Sequence, residues 1–186
     1  MHPLVLQAAK YESKDFPCEL SISVEDSGLD SGDYEFLIYA WRYVGLRPDI
    51  KLVAISNNKQ VEDNILSMLQ YGTEYNLSTG NHSVAWDEMD SVHYERWNET
   101  KKKYVADVQA ECDYRLEQLS HSMNQQEAIV RQQLESATDE KIKRMRTSQL
   151  TNLINKAEEQ RKEVLDVVNK IDIHTTLLVK GVLHIG

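Results

Sequence analysis

Four basic residues within one short stretch, Lys141, Lys143, Arg144 and Arg146, are the most chemically suggestive feature of this chain. On a helix, position 141 shares a face with 144 and 145, while 143 and 146 share another nearby. Positive charge concentrated in this way can grip the phosphate backbone of a nucleic acid. The plainer reading is a solvated helix face with intrahelical partners such as Glu140 for Arg144. A second basic run is Lys101 to Lys103. Trp41, Trp86, Trp97 and Tyr94 are either a recognition surface or, as large aromatics more often are, the seal between a sheet and the helices packed on it.

Beyond these, the residues offer little for catalysis. His82 and His93 are eleven apart, His174 and His184 ten apart, and no pair falls at the i, i+4 spacing of a helical metal site. The histidines therefore read as surface or interface side chains. Cys18 and Cys112 are far apart in sequence, with no histidine at metal spacing, and read as two reduced, packed thiols of a cytoplasmic protein. Neither a Gly-x-x-x-x-Gly-Lys-Ser/Thr loop nor a Gly-x-Gly-x-x-Gly turn is present, and there is no Asp-Glu-x-His box. Seven glycines leave little material for a phosphate-cradling loop. The expectation is a chain without catalytic residues, cofactor or metal of its own.

Charge narrows the binding options. The chain of 186 residues carries a net charge of −9, and all of it lies in the first half. Residues 1–90 hold six Lys and Arg against fifteen Asp and Glu, whereas residues 91–186 hold fifteen of each. The first half should repel nucleic acid, so only the second could present a basic patch. No stretch approaches the roughly 20 apolar residues of a membrane span, and the N-terminus has no secretory pattern.

The elements that would position these residues differ between the halves. Pro3 with Leu4, Val5, Ala8 and Ala9 reads as a short helix with proline in its first turn. Cys18 to Glu25 alternates, with Leu20, Ile22 and Val24 on one side, as a half-buried strand does. Asp26 to Asp33 is a turn, Tyr34 to Val44 a more buried strand, and Ile50 to Ser56 a third strand. Short connections between consecutive strands predict an antiparallel meander. Asn57 with Gln60 predicts a capping box, Ile65, Leu66, Met68 and Leu69 a helix, and Gly72 a left-handed end to it. Residues 73–85 read as a polar connection. Asp87, Glu88 and Asp90 then sit where a helix N-terminus favours negative charge.

From there to about Asp172 neither glycine nor proline occurs. Apolar positions from Val108, Cys112, Leu116, Leu119 and Met123 through Val130 and Leu134 step by three or four, and the stripe returns every eleven residues. Leu150, Leu153, Ile154, Ala157, Val164, Val168 and Ile171 continue it. A single helix of that length would be roughly 125 Å long and could not bury its own apolar stripe. It should therefore fold back, either near Ser120 to Asn124, where Ser122 and Gln125 could form a capping box, or at Thr147–Ser148. Thr175 to Ile185 is β-branched and apolar, with Gly181 placed for a bulge, and should return to the sheet as a fourth strand. The expected fold is α+β: a small antiparallel sheet of about four strands with a long antiparallel helical hairpin. Its expected divisions are a sheet subdomain at 1–85, the hairpin at 86–173 and the closing strand at 174–186.

One resemblance spans nearly the whole chain. His2-Pro3-Leu4-Val5, then Ala137-Thr138-Asp139-Glu140-Lys141-Ile142, then Gln160-Arg161 through Val164 and Asp166 followed by Leu177-Leu178-Val179 occur in this order. Together they resemble the C-terminal region of the RNA-polymerase-associated Swi/Snf-type ATPases of bacteria. The pattern departs from that family between Ile142 and Glu159, where the family has a proline-containing turn. The resemblance implies a parent enzyme that moves on duplex DNA, with ATP and Mg bound by two RecA-like lobes not contained in this chain. It implies a non-catalytic accessory module that docks on those lobes or on RNA polymerase. Two alternatives accompany it: a DNA-gripping arm using Lys141, Lys143, Arg144 and Arg146, and a homodimeric helical domain in which the apolar stripe pairs with its twin.

Overall fold

The computed structural model describes residues 18–25, 28–74 and 83–186. The N-terminal helix expected around Pro3 lies outside them, as does part of the turn after the first strand. In chain order the elements are β1 (Cys18–Val24), β2 (Gly32–Val44), β3 (Asp49–Ser56), α1 (Lys59–Met68), β4 (Thr73–Glu74), α2 (Ser83–Ser136), α3 (Glu140–Val168) and β5 (Asp172–Ile185). The fold is α+β. The described residues form two compact units. One comprises those up to Tyr43, with Pro48–Lys101 and Ile173–Gly186; the other comprises Val44–Arg47 and Lys102–Asp172.

The first unit is built on one five-stranded sheet of order β3-β2-β5-β1-β4. β2 and β3 pair antiparallel from Phe36 opposite Ser56 to Tyr43 opposite Asp49, as expected of a hairpin. The meander does not continue to β1. Instead β5 lies between β2 and β1, and it runs parallel to β1 from Cys18 opposite Val179 to Val24 opposite Ile185. The sheet is therefore mixed rather than purely antiparallel. Parallel neighbours need a long crossover, and the chain between Val24 and Asp172 supplies it. β5 is also suited to a central place, because Ile173, Val182, Leu183 and Ile185 are all buried. The two-residue β4, within a stretch read as connection, caps β1 at Ile22 and Ser23.

Both faces of the sheet are covered. β2 buries consecutive residues from Phe36 to Tyr39, which is the pattern of a strand with a layer on each side. Phe36 and Ile38 join Val61 and Ile65 of α1, together with Ile22, Leu183 and Ile185, in one apolar cluster. Tyr39 and Trp41 point to the opposite face and meet α2 at His93. The asparagine that caps α1 is Asn58, one residue later than expected. Its side-chain oxygen accepts from the backbone N–H of Gln60 and Val61 at 2.9 and 3.2 Å, while Ser56 Oγ accepts from its own N–H.

Two glycines work through size rather than conformation. Gly72 was expected in the left-handed region, yet the positive φ angles among the described glycines fall at Gly28 and Gly32. α1 ends instead on tightened bonds from Gln70 and Tyr71 N–H to Ser67 and Met68 carbonyls. A Cβ on Gly72 would stand 3.2 Å from Ile22 Cδ1. Gly181 is not at a bulge, since its register with β1 runs unbroken through Leu20. The Phe36 ring occupies the space over it, and a Cβ there would lie 2.1 Å from Phe36 Cζ.

The second unit is a helical hairpin. Residues 126–133 of α2 face 146–153 of α3, and residues 116–123 face 157–161, so the two helices run antiparallel. The expected breaks are absent: α2 continues through Ser120 to Asn124 and α3 through Thr147–Ser148. Ser122 Oγ is engaged along the helix by the Gln126 amide at 3.2 Å, and Thr147 Oγ1 donates back to the Lys143 carbonyl. The chain turns at Ala137–Asp139. Asp139 caps α3, with its carboxylate accepting from Lys141 N–H at 2.6 Å, and Glu140 adds negative charge to the first turn. A strong cap starts a new helix here without glycine or proline. α2 itself begins at Ser83, before the acidic cluster that was expected to open it.

Candidate functional site

The basic cluster sits on the first turns of α3, beside the hairpin turn. Two of its four members are engaged by neighbouring side chains of the same helix. Lys143 pairs with Glu140 at 3.2 Å, and Arg146 donates to Gln149 Oε1 at 2.7 Å. Lys141 and Arg144 are exposed. Glu140 thus takes Lys143 rather than Arg144, but the surface arrangement is the solvated one that i, i+3 and i, i+4 spacing favours. Asp139 and Glu140 dilute the four cations, and Glu127 and Arg131 pair with each other on the facing helix.

Along the same hairpin the two helices cover each other thinly. Val108, Cys112, Val130 and Ala157 are buried, whereas Leu116, Leu119, Met123, Leu134 and Leu153 are only half-buried. Ile129 is 55% exposed and Met145 54%. Grooves flank the Met123–Ala157 contact on both sides. An extension toward the turn, of about 280 Å3, adds Ile129, Val130, Arg146 and Gln149. A two-helix layer leaves such seams because neither helix can enclose the whole apolar stripe of the other.

The aromatic residues divide between sealing and exposure. Trp41 is 5% exposed, and its indole N–H donates to His93 Nε2 at 2.9 Å. Trp97 N–H donates to the Ile173 carbonyl and ties α2 to β5. These are joints of sheet to helix. Tyr94 is exposed and leans on Trp97, and Lys101 Nζ lies 4.8 Å from the centroid of the same indole.

His93 departs from the expectation of a surface or interface histidine. It is 3% exposed and stacks flat on Tyr39, ring centroids 3.4 Å apart. Because an indole N–H can only donate, His93 Nε2 must accept, which puts the ring proton on Nδ1. That edge faces Asp90 at 4.0 Å, and Asp90 accepts the Tyr39 hydroxyl at 2.5 Å. Thr175 Oγ1 of β5 is 3.1 Å from Nε2. Burial pushes the imidazole below its ordinary range, against the smaller pull of Asp90. Burial, then the bond to Asp90, pushes the Tyr39 phenol far above its ordinary range. The network fastens three elements and keeps a neutral histidine among them. The i+3 spacing of Asp90 and His93 was its only trace in the sequence.

A second polar joint holds α1 to α2. Burial would raise the Glu62 carboxyl, but Arg96 at 2.8 Å and Lys59 at 2.9 Å outweigh that and hold it below its usual value. Among the described residues no group of three or more His, Cys, Asp and Glu could hold a metal ion. No described helix is long and apolar enough to cross a membrane.

Comparison with known proteins adds no constraint to this geometry: no protein-family model matches the chain, and no curated protein matches it.

Proposed function

We propose that the chain is a non-catalytic accessory module of a larger ATP-dependent DNA translocase. It acts in the cytoplasm by docking, through the helical hairpin, on the ATPase lobes of that enzyme or on a protein partner such as RNA polymerase. The observation that carries the docking reading is the hairpin's thin cover, which leaves Ile129, Ile142 and Met145 exposed around the turn. Exposed apolar side chains set among polar ones are what a protein interface buries. The order of motifs shared with the Swi/Snf-type ATPases supports the choice of parent. ATP and Mg belong to the lobes, and duplex DNA is their track.

The test compares the full-length enzyme with and without these 186 residues. Removal should change the ATPase rate, its DNA dependence or the retention of the partner. If all three stay as they were, the docking reading is wrong.

The second reading is a nucleic-acid grip, favoured by the exposure of Lys141 and Arg144 next to Lys143 and Arg146. Its mark is binding of duplex DNA that weakens steeply with salt and disappears when the four become Ala. Cofactor-free homodimerisation would instead appear as a concentration-dependent rise in sedimenting mass.

A further inference from the structure

We propose that one side of the hairpin, the groove between α2 and α3 that runs past Gln126 and Leu153, receives an acidic amphipathic helix of a protein partner. This deepens the docking reading and rests on it.

The groove has two continuous stretches, of about 280 and 250 Å3, which share Gln126 and Leu153. Its floor is apolar, made by Leu119, Met123, Val130, Leu153 and Ala157. Its rim is made of amides, Gln126, Gln133, Gln149 and Gln160, with Ile129 standing exposed among them. The charged residues lining it are Arg146 and Lys156, and no carboxylate lines it. That is unusual for a chain with 30 Asp and Glu against 21 Lys and Arg. The groove on the opposite side of the hairpin contains Glu117, Glu158 and Arg161. One side of the hairpin thus mixes charges, while the other combines an apolar floor, neutral amides and two cations.

Each property selects a feature of the occupant. An apolar floor between two helices takes the apolar stripe of a third, anchored at i, i+3, i+4 and i+7. From Leu119 to Gln133 the groove follows roughly 21 Å of helix axis, about four turns of a partner helix. Arg146 is already oriented by Gln149 at 2.7 Å, so its planar fork is partly ordered before a carboxylate arrives. Glutamines both donate and accept, and so satisfy polar groups on the flanks of the occupant. A nucleic acid would leave the apolar floor without a complement. A second copy of the chain would bring the same two cations without supplying a carboxylate from the same groove.

The probe is a displayed library of helical peptides, each about 18 residues, selected on the intact chain and counter-selected on the Ile129→Glu variant. The expected winners carry Leu, Ile or Met at i, i+4 and i+7 with Asp and Glu on the flanks. Binding of a synthesised winner should weaken at least about tenfold when Arg146→Glu and Lys156→Glu are combined. It should change by less than about twofold in Glu158→Gln, on the opposite side. Circular dichroism and melting of each variant separate lost binding from lost folding, and Arg146→Gln with Lys156→Gln gives a milder pair should the reversal unfold the hairpin. Winners that are basic or uncharged, no winners at all, or binding indifferent to both pairs would overturn the proposal. So would displacement of the winner by duplex DNA at low salt, or a dimer of the chain that Ile129→Glu splits. In the full-length enzyme, partner retention that needs the chain but ignores Arg146→Glu with Lys156→Glu removes the groove and keeps docking. Retention that ignores removal of the chain sinks docking itself.

Discussion

Replacing Gly181 with alanine should destabilise the sheet unit far more than a single methyl group normally does. The ideal Cβ would lie 2.1 Å from Phe36 Cζ and 2.6 Å from both Cε atoms. Carbon atoms in contact prefer about 3.5–4.0 Å, so the overlap exceeds about 1 Å. Neither partner has room to yield. Phe36 is fully buried against α1, and Gly181 lies on β5, which is bonded to a strand on each side. Overpacking of this kind costs about 1–3 kcal/mol, and the rigidity of both neighbours puts Gly181→Ala at the upper end. For a chain of this size that lowers Tm by roughly 6–12 °C. Phe36→Ala alone should cost about 3–5 kcal/mol through the cavity it leaves. The double variant should cost clearly less than the sum, because the new methyl group occupies part of that cavity. Urea unfolding followed by circular dichroism at 222 nm measures all three. A neutral Gly181→Ala, or a double variant equal to the sum, would refute the close-packing account of this glycine.

Acidification provides an independent check on the His93 network. The folded-state pKa of His93 is lowered, so the unfolded chain takes up the proton first; the associated stability is complete above the ordinary histidine range and is lost as pH falls through it. Urea midpoints between pH 8 and 5 should therefore fall less steeply in His93→Gln than in the parent chain, and equal slopes would count against a neutral, buried His93. Glu62 titrates in the opposite chemical class but with the same sign: its lowered pKa gives stability that is present above about pH 4.5 and disappears below it. Glu62→Gln should thus flatten the stability curve in that lower window alone. Asp139→Ala removes the cap that starts α3 and should cost about 1 kcal/mol, read as an earlier thermal melt of helix signal. An unchanged melt would mean that the turn is held by packing rather than by the cap. Under the docking reading, converting Lys141, Lys143, Arg144 and Arg146 to Ala leaves duplex DNA association at low salt unchanged; a steep loss would transfer the function to the nucleic-acid reading.

Local chemistry made much of this protein legible. The alternation of Leu20, Ile22 and Val24 specifies a strand through the period-two placement of side chains, and the aromatic and β-branched runs through Tyr43 and at the C-terminus specify strands through the fit of such side chains to a pleated surface. The absence of glycine and proline between Gly80 and Gly181 and the three-and-four spacing of apolar residues specify long helices. The need to cover an apolar stripe requires that they fold back. The turn itself was misplaced because Ser122 and Gln125 resemble a cap as closely as Thr138, Asp139 and Glu140 do. Which cap is used depends on where the two helices, once folded back, can bury Val108, Cys112, Val130 and Ala157 together. The candidate groove shows the same limit. Lys141 to Arg146 stand out as charges in sequence, but Gln126, Gln133, Gln149 and Gln160 carry no such signal until two helices bring them to one rim.

Sequence alone therefore determined the class of the fold, the identity of most strands and helices, the concentration of negative charge in the first half and the existence of a hairpin. These follow from interactions within a few residues, where periodicity and capping act. The place of β5 between β2 and β1, parallel to β1, was decided only by tertiary structure, as was the seating of Phe36 over Gly181. So was the burial of a neutral His93 between Tyr39, Trp41 and Asp90. Each depends on contacts between residues distant in sequence, whose free energy comes from mutual burial and close packing and leaves no periodic mark on either segment alone.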